Sequence, residues 1–220
     1  MNTAIVDSRA GVTLVGGGPL TRADLRRALA VAPRLVAADG GADRLLRLGH
    51  SPEAVIGDLD SISDAARATL ADRLHLVAEQ ETTDFDKALR HIAAPFVLGL
   101  GFSGARLDHG LAVLNALVRH PDRRCLLLGQ GDVSFLAPRE LDLALAVGAR
   151  LSLFPLAPVT GSSLGLRWPI DGLDFAPDGL IGTSNEVTDR RVRLTFDRQA
   201  MLVILPAASL RAVLRALSLR

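Results

Sequence analysis

The sequence is poor in cysteine and in aromatic residues. Cys125 is the only cysteine among 220 residues, tyrosine is absent, and aromatic residues make up 4% of the chain. A single cysteine excludes a disulfide within the chain and a metal site built from several cysteines. The apolar run that begins at Cys125 predicts that its thiol is a small buried group of the core. With so few aromatic rings, the chain offers little for the bases of single-stranded nucleic acid to stack on.

The chain also lacks an excess of charge and any long apolar run. Lys and Arg number 25 against 24 Asp and Glu, so the formal charge is +1 and no overall field attracts nucleic acid or a membrane surface. Apolar runs such as Met201–Leu205 are far shorter than the roughly 20 residues of a membrane-spanning helix. The first residues do not combine a basic segment with an apolar stretch. We therefore expect a cytoplasmic protein with no nucleic acid and no membrane as partner.

Hydrophobic residues make up 49% of the chain. In residues 1–129 they form short apolar strands that alternate with helical segments of about ten residues, a rhythm typical of α/β proteins. We predict a parallel, helix-covered, Rossmann-like sheet in this first domain. Capping boxes at Thr21 with Asp24 and at Thr83 with Asp86 predict two helix starts. Ser61 or Ser63 is predicted to begin another helix that runs to about residue 74.

Beyond Gly129 the alternation of strands and helical segments stops, and short apolar segments are separated by Gly, Pro and Asp. We predict that residues 130–220 form a second, smaller domain, an all-β sandwich. Gly165–Trp168 is predicted to be one of its strands. The last stretch, Ala207–Arg220, predicts an amphipathic helix with an apolar face that needs a cover, provided by packing or by a dimer contact.

Two apolar strands of the first domain run into acidic turns. Leu35–Ala38 is followed by Asp39, and Ala54–Ile56 is followed shortly by Asp58 and Asp60. One short helix separates the two strands, which makes a right-handed βαβ crossover with both C-terminal strand ends together. Ligands of open α/β sheets bind beyond these ends. The three carboxylates therefore predict a divalent cation, Mg²⁺, that carries phosphate groups.

Other charged residues are predicted on the same rim. Lys87 follows Asp84 by three residues, so both lie on one face of the first turn of a helix, where backbone N–H groups add an anion site. Arg106, Asp108 and His109 follow a glycine-containing loop at the start of the next helix. Acids that hold Mg²⁺ next to bases that neutralise phosphate suit a nucleotide.

Six segments, in this order along the chain, resemble those of the thiamine pyrophosphokinase family. They are Asp39–Ala42, Gly57–Ser61, Gln80–Lys87, Gly104–His109, Gly165–Trp168 and Thr183–Asn185. The resemblance implies an enzyme, a thiamine diphosphokinase that moves the pyrophosphoryl group of ATP to the hydroxyl of thiamine and releases AMP. It also implies an α/β catalytic domain, a β-sandwich that helps to bind thiamine, and a homodimer with shared active sites.

The resemblance also implies roles for individual residues. The implied metal ligands are Asp39, Asp58, Asp60 and Asp84, and the implied catalytic residues are Asp58, Asp60, Asp84 and Lys87. The implied ATP-binding residues are Asp39, Gly40, Gly41, Lys87, Arg106, Asp108 and His109. The implied thiamine-binding residues are Gln80, Trp168, Ser184 and Asn185. An indole face suits the cationic thiazolium ring of thiamine. Glu81 stands where the family usually has aspartate.

Several of these features also have a purely structural interpretation. The turn at Asp58 could be only polar, Asp84 a helix cap, Lys87 a solvated helix residue and Trp168 a core residue. The glycines at 16–18 could form only a strand-to-helix turn or could touch ATP. Two rival functions remain. One is a metal-dependent phosphohydrolase with Asp58 as nucleophile, and the other is a regulatory module that binds thiamine or nucleotide without turnover.

Overall fold

The computed structural model describes residues 4–104, 106–129 and 131–219. The chain divides into two compact units, one of Met1–Ala116 with Asp122–Gln130 and the other of Leu117–Pro121 with Gly131–Arg220. None of the helices in the described part of the chain combines the length and apolar character that crossing a membrane requires.

Up to Gly129 the chain alternates strands and helices. The elements are β1 (Val6–Asp7), β2 (Val12–Val15), α1 (Arg22–Leu29), β3 (Arg34–Ala38), α2 (Gly41–Arg47), β4 (Ala54–Gly57), α3 (Asp64–Thr69), β5 (Leu74–Leu76), α4 (Asp84–His91), β6 (Ile92–Ala93), β7 (Val97–Leu100), α5 (Leu107–Arg119) and β8 (Cys125–Gly129). The short strands β1 and β6 pair with each other. The predicted α/β class of this part of the chain is confirmed.

Six strands form a parallel sheet in the order β8-β7-β2-β3-β4-β5. Every residue of β2 and β4 is buried, as expected for a parallel sheet with helices on its faces. The chain passes from β2 through β3 and β4 to β5, and then returns to the other side of β2 with β7 and β8. The strand order therefore reverses between β2 and β7, the position at which open α/β sheets bind their ligands.

The second unit is built from antiparallel strands. Its elements are β9 (Asp132–Leu136), β10 (Glu140–Ala144), β11 (Arg150–Pro155), β12 (Val159–Leu164), β13 (Asp174–Phe175), β14 (Gly182–Glu186), β15 (Arg191–Phe196), β16 (Met201–Pro206) and α6 (Leu210–Ala216). One set of strands is ordered β10-β15-β12-β13 and another β14-β11-β16-β9. The predicted β character of this part of the chain is confirmed.

The prediction of a strand at Gly165–Trp168 is wrong. Gly165 has φ +81°, outside the extended region, and Leu166 makes only an isolated bridge to Val187. The strand lies just before it, at β12, whose central residues are glycine and serine and so hide the alternation of apolar residues. Residues 165–168 are therefore a loop that follows a strand.

The predicted amphipathic C-terminal helix is present, and packing within the chain covers its apolar face. The helix is short, because a 3₁₀ turn at Ala207–Ser209 precedes α6. Leu210, Val213 and Leu214 are buried within the chain itself, where α6 packs against β10. The apolar face of this helix thus needs no second subunit to cover it.

The predicted helix starts are confirmed. The hydroxyl of Thr21 accepts the N–H of Asp24 at 3.1 Å, and that of Thr83 accepts the N–H of Asp86 at 3.4 Å. Ser63 caps α3 by accepting the N–H of Ala66 at 3.2 Å. The helix predicted to reach residue 74 ends earlier, at Thr69, because Leu70 leaves helical geometry and is buried. Cys125 is buried, as predicted, and burial raises the pKa of its thiol to about 12.

Candidate active site

Three aspartates converge beyond the ends of two paired strands. Asp39 follows β3, while Asp58 and Asp60 follow β4, which pairs with β3 in parallel. One carboxylate oxygen from each of the three lies within 4.8 Å of the other two. The convergence predicted from the βαβ crossover is therefore present in the folded chain.

Asp39 is held in an unfavourable position. Its backbone has φ +41°, and the residue is only 3% exposed. One carboxylate oxygen, Oδ2, accepts the N–H of Ser61 at 3.0 Å, whereas the buried Oδ1 has no hydrogen-bond partner among the residues that the structure describes. The pKa of this carboxyl is raised above its ordinary value, mainly by burial and secondly by repulsion from Asp84. A carboxylate oxygen that is buried without a donor is suited to accept a cation.

Lys87 ties the acidic cluster to helix α4. Its side chain is only 1% exposed, and its Nζ donates to Asp58 at 2.7 Å and to Asp84 at 3.3 Å. Burial lowers the pKa of Lys87, but the hydrogen bonds and charges of these two aspartates outweigh it, so the pKa is raised. The hydrogen bond from Lys87 is also the main reason that the pKa of Asp58 is lowered. Lys87 is therefore a buried, charged residue, and its interpretation as a solvated one is wrong.

Two glycines allow the backbone and the carboxylates to approach closely. A Cβ on Gly57 would lie 2.9 Å from the Oδ1 of Asp84 and 3.0 Å from the Cβ of Asp39. A Cβ on Gly41 would lie only 2.0 Å from the carbonyl oxygen of Val15, at the end of β2. Gly57 thus leaves room for the acids. Gly41 lets α2 begin against the neighbouring strand, so packing explains this glycine.

A cavity of about 280 Å³ opens beside the acids, where the strand order reverses. Its lining includes the glycines that follow β2 and β7, and the two loops are joined by the hydrogen bond from the Gly18 N–H to the Gly101 carbonyl oxygen at 2.9 Å. Phe85 and Phe102 add an apolar wall, with ring centroids 4.8 Å apart. The predicted site residues on the lining are Asp39, Gly40, Asp84, Arg106 and His109.

Arg106 is the lining residue that pairs with a predicted residue outside the lining, and Gln80 also lies outside it. Arg106 is exposed and donates to Asp108 at 2.6 Å, which holds the pKa of Asp108 at about 2. Gln80 is exposed in the loop before α4. Asp58, Asp60 and Lys87 belong to the acidic cluster described above.

Sequence reasoning missed a second ionic network that holds this loop. Glu79 accepts the N–H groups of Glu81 at 2.9 Å and of Thr82 at 3.1 Å, and it pairs with Arg90 at 2.6 Å. Arg90 also donates to Asp86 at 2.9 Å, an i,i+4 pair on α4. The i,i+4 spacing was the only sequence signal for this network, because the pair of Arg90 and Glu79 is separated by eleven residues and follows no helical spacing. The network fixes the segment that leads into Asp84.

In the second unit, Trp168 is 54% exposed, so its interpretation as a core residue is wrong. The guanidinium carbon of Arg167 lies 5.1 Å from the centroid of the indole ring. Ser184 is exposed and has φ +61°, whereas Asn185 is only 7% exposed. Of the residues predicted here, Trp168 and Ser184 thus present their side chains at a surface, and Asn185 does not.

Comparison with known proteins accounts for both units. The family models described as thiamin pyrophosphokinase, catalytic domain, and thiamin pyrophosphokinase, vitamin B1 binding domain, match residues 25–127 and 139–201. Thiamine pyrophosphokinase 1 of Oryza sativa subsp. japonica is 30% identical, over 77% of this chain and 77% of its own. The chain belongs to the thiamine pyrophosphokinase family. The resemblance found in its six segments is therefore confirmed.

Solved structures agree with this membership of the thiamine pyrophosphokinase family. The thiamin pyrophosphokinase from Candida albicans superimposes with a TM-score of 0.77 at 17% identity, covering 90% of this chain and 89% of its own. The thiamin pyrophosphokinase from Geobacillus thermodenitrificans gives 0.73 at 22% identity, covering 89% and 97%. At these identities the two structures establish the shared fold. The acidic cluster falls within the matched catalytic domain, as do the lining residues of the cavity other than the glycines at 16–18, and Trp168 falls within the matched vitamin B1 binding domain.

Proposed function

We propose that this chain is an Mg²⁺-dependent thiamine pyrophosphokinase, which transfers the pyrophosphoryl group of ATP to the hydroxyl of thiamine and releases AMP. The observation that carries the proposal is the cluster of Asp39, Asp58 and Asp60 within 4.8 Å, placed beside the cavity at the reversal of strand order. Membership of the family supplies the two substrates.

Magnesium would be held by the oxygens of Asp39, Asp58 and Asp60. The fit rests on the hard carboxylate donors and on the buried Oδ1 of Asp39, which has no other partner. When bound, the ion neutralises phosphate charge and helps to orient the reacting groups. Lys87 fixes the carboxylates of Asp58 and Asp84, so their geometry is set before the substrates arrive.

ATP would occupy the cavity in the first unit. Its phosphates would meet the glycine turn after β2, the backbone at Gly40 and the guanidinium of Arg106, while Phe85 and Phe102 form an apolar wall for the base. Arg106 would exchange its exposed partner Asp108 for a phosphate, since both are anions that accept in a fork-like geometry. Phosphoryl transfer of this kind depends on positioning and charge neutralisation, which these groups supply.

Thiamine would be recognised by Gln80, Trp168 and Ser184. The exposed indole of Trp168 offers a face to the cationic thiazolium ring. We also propose a homodimer whose subunits share the active sites, as the family resemblance implies. The buried face of α6 gives this dimer no separate support.

The deciding experiment incubates the purified chain with ATP, Mg²⁺ and thiamine and quantifies all products. We expect AMP and thiamine diphosphate in equal amounts and no inorganic phosphate. Asp58→Asn should abolish turnover, whereas Asp72→Asn, at an exposed carboxylate away from the cluster, should not. Inorganic phosphate released without thiamine would instead identify a phosphohydrolase. Binding of both substrates without any product would identify a regulatory module.

A further inference from the structure

The side-chain amide of Asn185 is hydrogen-bonded to the backbone of Trp168. Its Nδ2 donates to the carbonyl oxygen of Trp168 at 2.6 Å, and its Oδ1 accepts the N–H of Trp168 at 3.2 Å. The same Oδ1 accepts the N–H of Glu186 at 2.8 Å. An amide oxygen has two lone pairs, so both are occupied by backbone donors. Asn185 therefore has no acceptor left for a ligand.

Trp168 lies outside the strands, at the end of a loop, and the residue before it is bonded to β14 through the Arg167 N–H. Residues 165–168 form a loop after β12, and this loop begins at Gly165, which has φ +81°. A half-exposed aromatic residue in such a loop would sample several positions unless its backbone were fixed. Both polar backbone groups of Trp168 are bonded to the one side chain of Asn185, which is itself part of β14. Strand β14 thus holds the backbone of Trp168 itself through the single side-chain amide of Asn185.

The neighbouring residue restrains the indole itself. The backbone N–H of Arg167 donates to the carbonyl oxygen of Glu186 at 2.9 Å, and its guanidinium lies 3.3 Å from the Glu186 carboxylate. From there the guanidinium stacks on the indole of Trp168. One face of the ring is covered by a cation of the chain, so the other face is the one presented to a cationic ligand.

We propose that Asn185 is a positioning residue for thiamine, which acts on thiamine binding only through Trp168 and does not contact the substrate. This inference rests on the proposed function, because it takes thiamine as the ligand of the indole. It separates Asn185 from Trp168 and Ser184, whose side chains reach the surface.

A double-mutant cycle tests the proposal. Asn185→Ala should raise KM for thiamine by about 5–10-fold, which is the effect expected from a misplaced cation–π wall, and leave KM for ATP within about twofold. In the Trp168→Ala background the same substitution should change KM for thiamine by less than about twofold, because residues that act as one unit are not additive. The matched control is Asn115→Ala, at an exposed position of α5. Equal effects of Asn185→Ala in both backgrounds would overturn the proposal.

Fluorescence gives an independent readout that needs no turnover, since Trp168 is the only tryptophan. Asn185→Ala should lower the steady-state anisotropy of the indole and increase its quenching by acrylamide. Asn185→Asp keeps the two acceptor contacts but loses the donor, so it should give an intermediate anisotropy and covers the case in which the alanine variant fails to fold. If KM for thiamine rises while anisotropy and quenching stay as in the wild type, Asn185 contacts thiamine itself and the inference is wrong. If the wild type makes no thiamine diphosphate, the proposed function fails, whereas loss of indole order in the variants would still be observed.

Discussion

Asp39→Asn should stabilise the metal-free protein while it removes activity. Asp39 is a buried carboxylate with φ +41°, one oxygen without a partner, and like charges close by. Asparagine tolerates the left-handed backbone region and can still accept the N–H of Ser61. The substitution therefore removes the charge and adds no backbone strain. It also removes a carboxylate ligand that the proposed Mg²⁺ site requires.

Burial and repulsion both contribute to the gain, and the spacing of the charges sets the scale of the repulsion. Two unit charges 4.8 Å apart, the limit of separation in this cluster, repel by about 1 kcal/mol in water and about 3 kcal/mol at an effective dielectric constant of 20. Asp60 is exposed, so the lower value applies. We expect a gain of about 1 kcal/mol in the free energy of unfolding at neutral pH, or roughly 2–4 °C in Tm for a chain of this size.

The gain should depend on pH with a definite sign. Burial and repulsion raise the pKa of Asp39 in the folded state, so the ionised carboxylate destabilises the folded protein. That penalty is complete above the raised pKa and disappears as pH falls below the unfolded value of about 4. The advantage of the asparagine variant should therefore be largest at neutral pH and should vanish in acid.

Thermal unfolding in EDTA at pH 7 and at about pH 3, below the unfolded pKa, measures this difference, and a titration with Mg²⁺ at pH 7 completes the test. Mg²⁺ should raise the Tm of the wild type but not that of Asp39→Asn, and turnover of the variant should fall by about 100-fold or more. Asp72→Asn serves as the control, with a change within about 0.5 kcal/mol expected for an exposed carboxylate. A variant that is less stable than the wild type without metal, or that Mg²⁺ still stabilises, would refute the reasoning.

Three further predictions concern the same site. Lys87→Met should cost about 2–3 kcal/mol in urea unfolding and abolish turnover, because it leaves Asp58 and Asp84 without their buried partner; a stable, active variant would contradict this. Gly57→Ala should keep the far-ultraviolet circular dichroism of the wild type but lower kcat more than tenfold, since its Cβ would meet the Asp84 carboxylate at 2.9 Å, and unchanged kcat would remove this contact from the mechanism. Mixing Asp58→Asn and Trp168→Ala chains should restore about a quarter of wild-type activity if the proposed homodimer shares its sites, whereas no recovery after verified exchange would exclude sharing.

The position of the acidic cluster could be predicted from sequence because it depends on local pattern. A strand, a short helix and a second strand bring two C-terminal ends together whatever the rest of the chain does. Asp39 and Asp58 directly follow those strands and Asp60 comes two residues later, so their convergence needs no knowledge of side-chain contacts. The capping boxes at Thr21 and Thr83 were predictable for the same reason, since a cap involves residues only three apart.

What sequence could not supply were burial and contacts between distant residues. Lys87 follows Asp84 by one helical turn, but only the folded chain brings Asp58, 29 residues away, onto the same ammonium group. The pairing of Glu79 with Arg90 has the same character. Strand β12 was missed because a strand rich in glycine and serine has no apolar alternation to read. Each of these features depends on tertiary contacts that local spacing does not encode.

Asn185 illustrates the limit of transferring roles by motif. The family resemblance places it in a thiamine-binding segment beside Ser184, and a motif does not distinguish a residue that touches the ligand from one that holds its neighbour. The hydrogen bonds to the Trp168 backbone make that distinction.

The acidic turn itself is arranged against local conformational preference. Asp39 and Leu59 both adopt left-handed backbone geometry, with φ +41° and +63°, at a cost on the order of 1–3 kcal/mol each. Leu59 is nevertheless buried, so its side chain anchors the turn while Asp58 and Asp60 stay on the accessible side. The ammonium group of Lys87 offsets part of the negative charge but leaves the Oδ1 of Asp39 without a donor. The turn is therefore fixed by the core in a geometry that its own charges oppose, and a bound cation would remove that opposition without requiring the backbone to move.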